Sequence, residues 1–122
     1  MNAFPGFMKH PANRIATGSQ HTRGIEGYLF DGADGSQMAI WTCDADAESE
    51  PHVHDFDEYI AVVQGRYTVL LQEEKIVLGP GEEHLVPAGV PHGGTVEKGT
   101  RVICAFGGRR AERAPQGAVT GD

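Results

Sequence analysis

Four of the six histidines of this 122-residue chain, together with one glutamate, fall in two short stretches. The first is Pro51-His52-Val53-His54-Asp55-Phe56-Asp57-Glu58. Side chains of an extended strand alternate between its two faces, so His52, His54 and Glu58 share one face. Ile60 and Val62 continue that face as apolar. A barrel interior with a polar end and a greasy end would read this way. Neutral imidazoles beside a carboxylate suit a borderline transition metal. The second stretch runs from Gly81 through His84 and Pro87-Ala88-Gly89-Val90-Pro91 to His92. Its prolines and glycines force a tight bend, from which His92 can face back toward the first stretch.

The elements that must position these side chains read as short strands. Ile25 to Phe30 is an apolar segment that ends at the turn signal Asp31-Gly32-Ala33-Asp34-Gly35. Gln37 to Cys43 follows as a buried strand, and Asp44 to Pro51 is acidic and polar, a predicted loop. Next comes a run from His52 to Gln64, with a turn at Gly65. Arg66 to Gln72, Lys75 to Leu78, Glu83 to Val86, Thr95-Val96 and Arg101 to Phe106 complete the set. No segment keeps a 3.6-residue period over ten residues. Strands recurring every eight to twelve residues between turn signals predict an all-β sandwich or barrel. Residues 1–22 read as an N-terminal arm, 23–108 as the barrel, and 109–122 as a polar tail expected to be disordered.

With the strands in place, the two stretches resemble a known pair of motifs. His52-x-His54-x3-Glu58-x6-Gly65 is similar to the first cupin motif, and Gly81-x5-Pro87-x-Gly89-x2-His92 to the second. They occur in the family's order, with 15 residues between Gly65 and Gly81. The resemblance implies a double-stranded β-helix, the cupin jelly-roll barrel, as one domain. It also implies a metal inside one mouth, held by His52, His54, Glu58 and His92. The ion would be one divalent transition metal: iron, manganese, nickel, zinc or copper. One departure is Val96, where the second motif often ends in Asn; that Asn is not a ligand, so the ligand set is intact.

Other polar and aromatic residues take secondary roles. His84 shares parity with Val86 and is expected to face the interior, either as a group supporting the site or acting as acid or base, or as a plain core or rim histidine. Tyr67 is a candidate for the same supporting role, or a core residue. Tyr28 has the same two readings, and neither ring can be oriented from sequence. Tyr59 has the opposite parity to Glu58 and should point away. Asp55 and Asp57 alternate with the ligands and are expected to face solvent or a partner. Trp41 reads as core or dimer packing before a substrate platform. His10 and His21 lie in the arm as bystanders. Cys43 and Cys104 sit in apolar runs and read as buried free thiols, with no C-x-x-C motif.

Composition bounds the function classes. Hydrophobic residues make up 39% and charged residues 22%, as in a globular protein that is soluble. A domain of this length buries roughly two thirds of the surface its unfolded chain exposes. The metal is therefore expected to serve function, with the apo chain folding on its own. Seventeen glycines and seven prolines, scattered singly or in pairs, suit short strands joined by turns. No apolar run reaches the ~18 residues of a membrane span, and Met1 to His10 lacks a signal-peptide pattern. The expected location is the cytoplasm. Seventeen acidic against ten basic residues give a net charge of −7, which disfavours nucleic acid. Arg109, Arg110 and Arg113 form the densest basic cluster, either an anion contact or a solvated stretch.

The resemblance implies dioxygenases, isomerases, lyases and cyclases among single-domain relatives. The expected function is metal-dependent action on a small organic molecule, of dioxygenase or Lewis-acid isomerase or lyase type. The alternative is a small-ligand-binding or sensor module without turnover. The expected assembly is a homodimer, because Phe4, Phe7, Met8 and Ile15 make the arm apolar enough to add a strand to a neighbour's sheet edge.

Overall fold

The computed structural model describes residues 3–15 and 25–111. Within them lie nine strands: β1 (Ile25–Asp31), β2 (Gln37–Cys43), β3 (Ala47–His52), β4 (Glu58–Gln64), β5 (Tyr67–Leu70), β6 (Lys75–Leu78), β7 (Glu83–Val86), β8 (His92–Val96) and β9 (Arg101–Phe106). They form two antiparallel sheets, a five-stranded one in the order β1-β2-β9-β4-β7 and a four-stranded one in the order β3-β8-β5-β6. This is the expected all-β jelly roll.

Alternation builds the core, as a half-buried strand requires. Glu58, Ile60 and Val62 of β4 point inward, as do Val102, Cys104 and Phe106 of β9 and Tyr67 and Val69 of β5. Ile60, Val69 and Val102 are fully buried. Gly65, at φ 85°, turns the chain against Thr100, where a side chain would collide with the Thr100 hydroxyl. Cys43 and Cys104 are free thiols and both buried, as expected.

Two expectations about the strands change. The predicted loop from Asp44 to Pro51 contains β3, which pairs with β8 at the edge of the four-stranded sheet. Its inward residue Ser49 is small and polar, so no apolar alternation announces it. The predicted run from His52 to Gln64 is not one strand. It breaks at residues 53–57, and the chain crosses from β3 in one sheet to β4 in the other.

Residues 3–15 pack on the chain's own barrel. Arg14 bridges Tyr28, and the Ile15 amide donates to the Gly27 carbonyl at 2.9 Å. Phe4 is buried edge-on to Tyr28, with the Arg101 guanidinium 4.0 Å above its ring. The expected tail is tied down at its start. Gln37 Oε1 accepts from the amides of Arg110 at 2.7 Å and Ala111 at 3.0 Å. Its Nε2 donates to Ala111 O and to Asp31 Oδ1. His21, Arg113 and the rest of the tail lie outside the described residues.

Candidate metal centre

The crossing between sheets carries the site. His52 ends β3 and stands opposite His92, the first residue of β8. His54 lies in the crossing, and Glu58 opens β4 between Val86 of β7 and Phe106 of β9. Each of the four residues offers a ligand atom, and these atoms all lie within 4.8 Å of one another. Donors bound to one ion at about 2.0–2.2 Å are at most a little over 4 Å apart, so the widest-spaced of these atoms would draw together on binding.

The tautomers suit that use. His52 Nδ1 lies 2.9 Å from Glu50 O, and His92 Nδ1 lies 3.0 Å from Val90 O. A proton on each Nδ1, donated to those carbonyls, leaves both Nε2 atoms as lone-pair donors. His92 Nε2 sits 3.2 Å from Glu58 Oε1; it donates to the carboxylate when the ring is an imidazolium and faces it as a lone pair when only Nδ1 is protonated. His54 Nε2 lies 3.3 Å from the same oxygen, yet it is buried without an aligned hydrogen-bond partner. A buried, unsatisfied ring nitrogen is costly unless something fills its lone pair. Three imidazoles and one carboxylate, one of them with such a nitrogen, fit a borderline divalent ion.

Electrostatics keep the carboxylate charged. Burial pushes Glu58 up, but its contacts with His54 and His92 outweigh burial and hold it at about 2. Burial pulls His92 down, and the bonds to Glu58 and to the Val90 carbonyl more than reverse this, so its pKa is raised. The centre is walled by aromatic rings. Phe56 stacks on His54 at 4.7 Å with an 11° tilt, and Phe106 meets both rings edge-on.

The remaining candidates separate. His84 shares a face with Ile60 and Val86, as parity required, and is half-buried one row from Glu58. It is not one of the four residues whose ligand atoms converge. Tyr67 is buried inside the barrel, with its ring against Gly94 and edge-on to Trp41 at 6.1 Å. Burial, Cys104 and Glu58 together raise its pKa well above 10, so the phenol stays protonated. Trp41 is a core residue. Tyr28 faces outward under Phe4, bonded to Glu26 at 3.2 Å. Tyr59 also points outward, toward Glu83.

Three residues near the centre have roles that the sequence did not disclose. Cys104 is buried, and burial and the charge of Glu58 push its thiol up, while the Trp41 side chain acts in the opposite sense. Arg110 is half-buried: burial lowers its pKa, while the charges of Glu58 and Cys104 act on it in the opposite sense. Asp57, expected to face solvent or a partner, accepts a hydrogen bond from the Ala88 amide at 2.8 Å. Only the Arg cluster left a signal, as a candidate anion contact.

Comparison with known proteins agrees with this geometry. A family model described as "Cupin domain" matches residues 39–109, and the chain belongs to that family. Among solved structures, KdgF from Halomonas sp. shares 31% identity, covering 71% of this chain and 81% of its own, with a TM-score of 0.63. An RmlC-like cupin from Shewanella frigidimarina NCIMB 400 shares 25% identity over 71% of this chain and 78% of its own, with a TM-score of 0.64. The polyketide cyclase RemF from Streptomyces resistomycificus shares the fold at 24% identity and a TM-score of 0.60, covering 76% of this chain and 72% of its own. No curated protein matches the chain in sequence.

Proposed function

We propose that this chain holds one divalent transition-metal ion on His52, His54, Glu58 and His92 and acts there on a small organic molecule. The observation that carries the reading is the convergence of four ligand atoms within 4.8 Å, one of them the unsatisfied Nε2 of His54. The bound ion would supply Lewis-acid polarisation of a ligand oxygen or, if redox-active, a meeting point for substrate and dioxygen.

The chain's own residues set the terms. Glu58 contributes the negative charge, already ionised near neutral pH. The Glu50 and Val90 carbonyls fix two imidazole rings. Phe56 and Phe106 keep water from the His54 side. Lewis-acid isomerase or lyase chemistry fits this set, and with iron, manganese, nickel or copper a dioxygenase reaction fits it too. The proposed setting is a cytoplasmic homodimer.

A second reading, ligand binding without turnover, has its own support. Tyr67 and Cys104 are buried and in electrostatic contact with Glu58, and burial raises the pKa of both well above its ordinary value. Neither is poised to accept a proton near neutral pH. The two readings part on one experiment: metal-loaded protein is incubated with a panel of small keto and hydroxy acids, diketones and catechols, with oxygen uptake and product followed. Turnover that disappears in the His92→Ala variant supports the enzyme. Tight binding of an acid with no product supports the sensor. Neither turnover nor binding in metal-loaded protein overturns the proposal.

A further inference from the structure

The ligands arrive on two separate pieces of chain. His54 lies in the crossing loop and Glu58 directly follows it, and His92 hangs from the bend at Pro87–Pro91. Their geometry depends on how those pieces are held together. Two hydrogen bonds span the gap. The Gly89 amide donates to the His54 carbonyl at 2.9 Å, and the Ala88 amide donates to Asp57 Oδ1 at 2.8 Å. Asp57 also reaches a third piece, because its carbonyl accepts from the Gly107 amide at 2.9 Å just past β9. The bend itself is closed by Val90 N to Pro87 O at 3.2 Å, with Gly89 at φ 82°, the pattern of a type II turn. Val90, at the end of that turn, supplies the carbonyl that orients His92.

We infer that Asp57 is a positioning residue for the metal centre: its carboxylate clasps the crossing loop to the Pro87–Val90 turn, so that His54, Glu58 and His92 are preset for the ion. The inference rests on the metal-site reading above. A charge-assisted bond from a backbone amide to a carboxylate is directional and stronger than a neutral one. Groups that orient metal ligands typically change metal affinity by about 10- to 100-fold when removed.

The chain offers an unusually clean test. Ala88 occupies the second position of the type II turn, where proline is favoured. Ala88→Pro therefore keeps the turn while deleting the amide that Asp57 accepts from. Asp57→Ala deletes the acceptor, and Asp57→Asn keeps an acceptor oxygen while losing the charge. Cobalt(II) affinity is measured for each by competition with a chromophoric chelator, on protein shown to be folded by circular dichroism. The expected result is a loss of roughly tenfold or more for Asp57→Ala and for Ala88→Pro. The double variant should be no worse than the weaker single, because both remove one bond. Asp57→Asn should stay within about threefold of the parent, since the acceptor survives.

Unchanged affinity in Asp57→Ala or Ala88→Pro overturns the clasp. So does an Asp57→Asn loss as large as that of Asp57→Ala, which would assign the effect to charge alone. Additive losses in the double variant also overturn it. If Asp57→Ala fails to fold, Ala88→Pro and Asp57→Asn decide the matter. Failure of the underlying reading looks different: the parent then binds no cobalt, or His92→Ala binds it equally well, and the clasp falls with the site.

Discussion

Replacing Glu58 by Gln tests the electrostatics of the centre without the metal. Gln has nearly the shape of a protonated Glu, so the variant imitates the acid form at every pH. The folded carboxyl titrates at about 2, against 4.5 for the free group. A carboxylate depressed in the folded state adds stability above its unfolded value and loses it as pH falls toward the folded value. The gap of about 2.5 units, at 1.36 kcal/mol each, sets an upper bound of about 3 kcal/mol. Urea unfolding with a chelator present should therefore show Glu58→Gln less stable than the parent by up to about 3 kcal/mol at pH 6 to 7. The difference should shrink steadily from pH 4.5 toward pH 2. A difference that does not change with pH, or a variant more stable than the parent at pH 7, would refute the account of Glu58 as a carboxylate held charged by His54 and His92.

Further expectations concern the core and the imidazoles. Ile60→Ala empties a fully buried position and should cost roughly 2–5 kcal/mol in chemical denaturation. His92, raised by its partners, stabilises the apo protein below about 6.5 and loses that contribution as pH rises through its folded value. Metal binding needs neutral imidazoles and runs the other way: metal-induced stabilisation in thermal melts should fall as pH drops below the histidine range.

The cluster of four side chains was legible in the sequence, but the geometric reason for three of them was not. Parity along one extended strand placed His52, His54 and Glu58 on a common face. In the structure they lie on two strands of different sheets and the loop between them, and they converge because the chain crosses the barrel mouth there. Strand β3 escaped detection because its inward positions are Ala47 and Ser49 and it carries Pro51, features an edge strand tolerates and a hydrophobic pattern cannot show. The parity of Tyr59 and His84 was readable because each lies within an unbroken strand. Gln37 and Asp57 were opaque for a different reason: their partners lie 74 and 31 residues away in sequence. No local pattern encodes such contacts.

The central claim is that these four side chains hold an ion. Elemental analysis of protein purified without added metal, alongside His52→Ala, Glu58→Ala and His92→Ala, addresses it most directly. The account predicts about one divalent transition-metal ion per chain in the parent and almost none in each variant, with the barrel's circular dichroism intact. A metal-free parent that takes up no added divalent ion, or variants that retain metal at the parent's level, would contradict it.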